Sequence, residues 1–122
     1  MSDEYTKKNR HLVCFYLYME WSMSNDQTYG FELITFEQMK TIMEHEFVTL
    51  IDLRDYEEYA KHHLSGAKNV SVEQITNWVS YLPSNRTIIL YCAHGNRSIQ
   101  AAKKISNHKG KVYTLAGGID GN

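Results

Sequence analysis

Cys92 is followed without interruption by Ala93, His94, Gly95, Asn96, Arg97 and Ser98. A thiol, an imidazole, a glycine and a guanidinium in one short stretch are the ingredients of a nucleophile held in an anion-binding loop. A free thiol titrates near 8.5, so only a few per cent of it is thiolate at neutral pH; a helix N-terminus and a neighbouring cation favour the thiolate, the form that attacks. Gly95 admits the positive φ that lets a tight loop turn several backbone N–H groups inward around a sulfur, and Arg97 is the fixed cation. The competing role for Cys92 is that of a buried structural cysteine. A strand running into cysteine, small residues, glycine and arginine, and then into a helix, is the context a nucleophile needs.

Other chemistry-bearing residues are fewer. His62 and His63 are adjacent, so their side chains diverge, and no third ligand is spaced nearby; no metal is expected, and His63 is read as a packing and hydrogen-bonding residue. No cofactor is implied. Cys14 and Cys92, the two cysteines of the chain, have no paired spacing, which argues against a disulfide scaffold or a cysteine-rich zinc site and for a reducing compartment. Cys14 is read as structural.

The elements that must position Cys92 are legible as a strand and helix alternation. Thr35 with Gln38 three residues later forms a capping box ahead of Phe36, Met39, Ile42 and Met43, which recur at helical spacing. Phe47 to Leu53 is a nearly continuous apolar run rich in β-branched residues, the pattern of a parallel strand buried on both faces. Asp55 is expected to cap a second helix through Tyr59. Ala67 to Val72 reads as a brief extended segment, and Ile75, Trp78, Val79 and Leu82 as a third helix stopped by Pro83. Thr87 to Tyr91 is a strand ending at Cys92; Ser98 to His108 is a helix with Ile99, Ala102 and Ile105 inward; Lys111 to Leu115 is a last strand before the Gly117, Gly118 turn. Such alternation predicts an α/β fold in three layers, with a central, mostly parallel sheet and helices on both faces. In such sheets sites gather at the carboxyl ends of strands, where Cys92 lies.

A chain of 122 residues with 43% hydrophobic composition suits one domain. Residues 31–122 make its body, and the polar break from Ser22 to Gly30 sets off residues 1–30 as an N-terminal extension. Thirteen basic against fourteen acidic residues, a net charge of -1, give no field to draw the protein to nucleic acid or an anionic membrane. The apolar run Leu12 to Met19 falls short of a membrane span, and Asp3 and Glu4 dilute the positive region a secretory signal needs. The expected location is the cytoplasm, with no membrane partner.

The segment C-A-H-G-N-R-S after I-I-L-Y resembles the active-site loop of single-domain rhodaneses, C-x-x-G-x-R-S. Three further blocks agree in order: L-I-D-L-R-D-Y-E-E-Y at Leu50 to Tyr59 resembles the family's D-x-R strand and helix, H-L-S-G-A-K-N-V at His63 to Val70 its H-I-P-G-A-x-N segment, and L-A-G-G-I at Leu115 to Ile119 its L-x-G-G-x block. The resemblance implies a rhodanese fold and a sulfurtransferase. In it the Cys92 thiolate takes sulfane sulfur from a small anionic donor such as thiosulfate and holds it as a persulfide. A thiol, including a protein thiol, or cyanide then accepts the sulfur. Ala93, His94, Gly95, Asn96, Arg97 and Ser98 would bind substrate, with Arg97 and His94 meeting the donor's sulfonate oxygens. Asp52, Arg54 and His63 would be supporting residues; the alternative for Asp52 and Arg54 is an ion-pair framework, with Arg54 and Glu58 spaced for a local pair.

Two other functions compete with this reading. Cysteine phosphatases and arsenate reductases also set Cys and Arg at the two ends of an anion loop, but theirs is one residue longer than the four residues between Cys92 and Arg97. A regulatory or sulfur-carrier module acting with a partner protein would need the same Cys92. Two departures from the family pattern stand out. The family's usual final helix is expected to be missing after Gly118, and Leu12, Phe15, Tyr16 and Met19 recur at helical spacing in the extension. That stripe is expected either to cover the sheet face left open or to form a homodimer contact.

Overall fold

The computed structural model describes residues 30–122, so the N-terminal stripe, Cys14 and the homodimer expectation lie outside the described residues. Five strands, Glu32–Ile34 (β1), Val48–Asp52 (β2), Lys68–Asn69 (β3), Thr87–Tyr91 (β4) and Val112–Leu115 (β5), form one sheet in the order β1-β5-β4-β2-β3. Every pairing is parallel. Helices Phe36–His45 (α1), Tyr56–Lys61 (α2), Ile75–Val79 (α3) and Asn96–Lys104 (α4) supply the crossovers that parallel strands require.

The side chains of β4 explain why its sequence is apolar without alternation. Ile88, Leu90 and then Cys92 enter one core with Ile75 and Val79 of α3 and Ala101, Ala102 and Ile105 on and after α4. Ile89 and Tyr91 point the other way, into a second core with Met39 and Ile42 of α1 and with Tyr113 and Leu115 of β5. Both faces are covered, and all five residues of β4 are buried. The three-layer α/β reading is therefore the observed architecture.

The register brings the chemistry to one edge. Asp52 pairs with Tyr91 at the carboxyl ends of β2 and β4, and the Leu53 amide donates to the Tyr91 carbonyl at 2.8 Å. Arg54 and Cys92 consequently leave the sheet side by side.

Local signals fared unevenly. The capping box forms as expected: the Gln38 amide donates to Thr35 Oγ1 at 3.1 Å and the Thr35 amide to Gln38 Oε1 at 2.9 Å. Asp55 stands at the N-cap of α2, but its carboxylate makes no capping bond. Helix α4 begins at Asn96 rather than Ser98 and ends at Lys104 rather than His108. It starts early because Gly95, at φ +100°, turns the chain directly into it; it ends early because the Ile105 amide is shared between the Ala101 and Ala102 carbonyls at 3.2 Å, tightening the last turn. Strand β1 was not anticipated, since three residues with Leu33 half exposed carry no readable pattern. Residues after β5 form turns. Among the described residues no helix is long and apolar enough to cross a membrane.

Candidate active site

Cys92 is the first residue beyond β4, and its sulfur faces the N-terminus of α4. The Gly95 amide donates to Cys92 Sγ at 3.0 Å and the Ser98 amide at 3.4 Å. The Ser98 hydroxyl donates to the Gly95 carbonyl at 3.1 Å and accepts from the Cys92 thiol at 3.6 Å. Two backbone donors from the first turn of a helix, aimed at one sulfur, are placed to stabilise negative charge on it. Cys92, the free cysteine of the described residues, is only 2% exposed, yet it lines a pocket of about 260 Å³ with Ala93, His94, Asn96, Arg97, Arg54 and Glu58.

Arg54 is fixed by several partners. Its Nη2 donates to Asp52 Oδ2 at 2.8 Å, its Nε to both carboxylate oxygens at 3.1 and 3.2 Å, and its own amide to Asp52 Oδ1 at 2.8 Å. A further bond runs from Nη2 to the His62 carbonyl. The Asp52 hydrogen bond raises the Arg54 pKa above its ordinary value, so the guanidinium is a permanent cation at the pocket wall. The local Arg54 and Glu58 pair suggested by spacing is replaced by this bidentate bond. Asp52 is closer in the chain, fully buried, and needs the partner more. Tyr91 packs beneath, its ring 5.9 Å from the guanidinium and its hydroxyl accepting from the Leu64 amide at 3.1 Å. Burial pushes the Tyr91 hydroxyl well above the usual phenol range.

The second guanidinium is less constrained. Arg97 Nη1 donates to Asp55 Oδ1 at 3.0 Å, with both side chains at least half exposed. His94 Nε2 lies 3.9 Å from Asp120 Oδ2, also at the surface.

The loop leans on the turn that follows β5. The Ile119 amide donates to the Cys92 carbonyl at 2.8 Å and the Asp120 amide to the Ala93 carbonyl at 2.9 Å. Gly118 has a φ of +71°, and a Cβ there would stand 2.3 Å from the Ala93 oxygen. The adjacent glycines of this turn thus answer to the backbone of the cysteine loop, across 25 residues of sequence from Ala93 to Gly118.

Of the residues singled out from sequence, Cys92, Ala93, His94, Gly95, Asn96, Arg97, Ser98 and Arg54 gather in or around this pocket, with Asp52 behind Arg54. His63 does not line it: its ring stacks on Tyr59 at 3.8 Å and its Nδ1 meets the Tyr59 carbonyl at 2.8 Å. Sequence reasoning missed Asp55 as the partner of Arg97, and no local signal marks it; Glu58, which its spacing set beside Arg54, lines the pocket with that residue. Only the fold brings Asp55 to Arg97, 42 residues away.

A family model described as a rhodanese-like domain matches residues 35–121. The chain belongs to the rhodanese-like family. Single-domain relatives include the thiosulfate sulfurtransferase GlpE of Pseudomonas fluorescens, 31% identical over 91 residues that cover 74% of this chain and 83% of that protein. A tRNA sulfurtransferase of Desulfurococcus amylolyticus is 36% identical over 70 residues, 57% of this chain and 14% of that much longer protein. Among solved structures, a rhodanese-like domain protein from Staphylococcus aureus superposes with a TM-score of 0.65 at 23% identity, over 74% of this chain and 89% of that one. The rhodanese homologue of Thermus thermophilus gives 0.59 at 23% identity, over 74% and 99% of the two chains. These two likenesses concern the fold, which this rhodanese domain shares with them.

Proposed function

We propose that this rhodanese domain is a sulfurtransferase that carries sulfane sulfur as a persulfide on Cys92. The observation that carries the reading is the pair of backbone N–H groups, from Gly95 and Ser98, converging on Cys92 Sγ at the floor of a pocket walled by two arginines. In the first step the Cys92 thiolate attacks the outer sulfur of thiosulfate. A new S–S bond forms as the bond to the sulfonate sulfur breaks, and sulfite leaves with the electron pair. In the second, a thiol or cyanide takes the outer sulfur and the Cys92 thiolate departs, restoring the protein. Arg54, Arg97 and His94 meet the donor's oxygens; the loop amides hold charge on sulfur.

The partners on this reading are a small anionic sulfur donor and a thiol or cyanide acceptor, a protein thiol among them. Neither nucleic acid nor membrane is required, and a free reactive thiol suits the reducing cytoplasm. Four residues between Cys92 and Arg97 make a cradle sized for sulfur rather than for a tetrahedral phosphate.

The test is intact mass after incubation with thiosulfate. One added sulfur atom, removed by cyanide and absent from Cys92→Ser, is expected. No adduct with thiosulfate or any other sulfane donor, alongside turnover of an aryl phosphate, would overturn the proposal.

A further inference from the structure

Asp55 occupies the N-cap of α2, where an aspartate ordinarily accepts a hydrogen bond from an amide of the first turn. Its carboxylate makes no such bond and instead reaches Arg97 Nη1 at 3.0 Å. Two neighbouring cavities meet at Arg97. Arg97 lines both the Cys92 pocket and a second cleft of about 400 Å³ that also includes Leu53, Asn69 and Gln100. Asp55 lines the second cleft but not the Cys92 pocket. The ion pair therefore puts a carboxylate on Arg97 Nη1, where an anion would otherwise bind. Arg54 offers a contrast: its carboxylate partner is fully buried and bidentate, so incoming substrate cannot exchange with it. Asp55 is 68% exposed, held by a single bond, and has an unfilled capping position to return to.

We infer that Asp55 is a specificity-determining residue: an intramolecular competitor that an anionic sulfur donor displaces from Arg97, setting how strongly the site responds to charged donors. The inference rests on the sulfurtransferase reading. Entry of a sulfonate exchanges one anion for another on Arg97, and the released Asp55 carboxylate turns back to the amides of α2. Donor affinity is thereby lowered by the strength of one exposed ion pair, about 1.5- to 5-fold.

The experiment is the rate of persulfide formation, read by quenched intact mass, against thiosulfate concentration for the wild type, Asp55→Asn, Arg97→Ala and the double variant. Asp55→Asn is expected to lower the half-saturating thiosulfate concentration about 1.5- to 5-fold with little change in limiting rate, and the gain is expected to vanish when Arg97 is Ala. An unchanged or raised half-saturation in Asp55→Asn would overturn the inference, the latter outcome making Asp55 a residue that positions Arg97 for the donor. A gain that persists without Arg97 would also overturn it, because it would reflect only the general loss of a negative charge. No persulfide in any variant defeats the sulfurtransferase reading itself and takes this inference with it, which keeps the two failures distinct.

Discussion

The Gly95 amide nitrogen lies 3.0 Å from Cys92 Sγ, and it can point there because Gly95 adopts a φ of +100°. An L side chain at that φ is strained by about 1–2 kcal/mol, although a Cβ there would make only ordinary contacts, the nearest with the Gly117 nitrogen at 3.5 Å. Gly95→Ala is accordingly predicted to lose no more than about 2 kcal/mol in urea unfolding. Relaxation of the loop swings the N–H off the sulfur, so persulfide formation is predicted to slow by about tenfold or more. An alanine variant that loads at the wild-type rate would remove the Gly95 amide from the chemistry.

Gly117 and Gly118 are predicted to respond differently although both have positive φ. At Gly117 a Cβ meets only Gly121 Cα, at 4.0 Å, so the cost of Gly117→Ala is that of the left-handed backbone, about 1–2 kcal/mol. At Gly118 the Cβ would collide with the Ala93 carbonyl, and the loop itself must move. Gly118→Ala should be the more destabilising of the two in urea and should also lose sulfur loading; equal behaviour of the two variants would count against this packing.

Breaking the Asp52 and Arg54 pair leaves a buried charge without its partner. Asp52→Asn or Arg54→Met alone is predicted to cost about 3–5 kcal/mol, and Asp52→Leu combined with Arg54→Met markedly less than the sum. Because Arg54 also lines the Cys92 pocket, the double variant should fold yet load thiosulfate sulfur poorly. Chemical denaturation and adduct mass on the same samples separate the two effects.

Tyr91 gives the fold an alkaline limit. Its pKa is raised in the folded state, chiefly by burial, so the neutral phenol is favoured there relative to the unfolded chain, where it ionises near 10. Its contribution is fully present below pH of about 10 and is lost as pH rises from there toward the folded value. Tyr91→Phe, which loses the acceptor for the Leu64 amide, should be about 0.5–1.5 kcal/mol less stable near neutrality. The gap should close as pH rises above about 10; a gap that stays constant would contradict the raised pKa.

The sequence was most readable where local and tertiary demands coincide. Ile88 to Leu90 had to be apolar without alternation because both faces of β4 are covered, and the Thr35 and Gln38 capping box is a contact complete within four residues. The loop around Cys92 was legible for the same reason: its glycine, its arginine and its helix start are contiguous. Asp55 was misread because its position at a helix start offers an ordinary local role, and nothing nearby announces that Arg97 outbids the amides of α2. Strand β1 was invisible because its identity comes from pairing with β5, not from its own three side chains. The Arg54 and Glu58 spacing was a local rule that a buried carboxylate overrode.

The depth of Cys92 also determines what a partner molecule would meet. The thiol itself is nearly inaccessible, at 2% exposure, which limits attack by bulky oxidants or alkylating agents. A sulfur bonded to it in the proposed persulfide would stand about 2 Å from Sγ, and the space that Cys92 lines is the pocket. If Cys92 carries sulfur as proposed, the outermost reactive atom of the loaded protein would be the cargo, so an acceptor too broad to touch the cysteine could still collect it, while the empty domain would be hidden from such an acceptor.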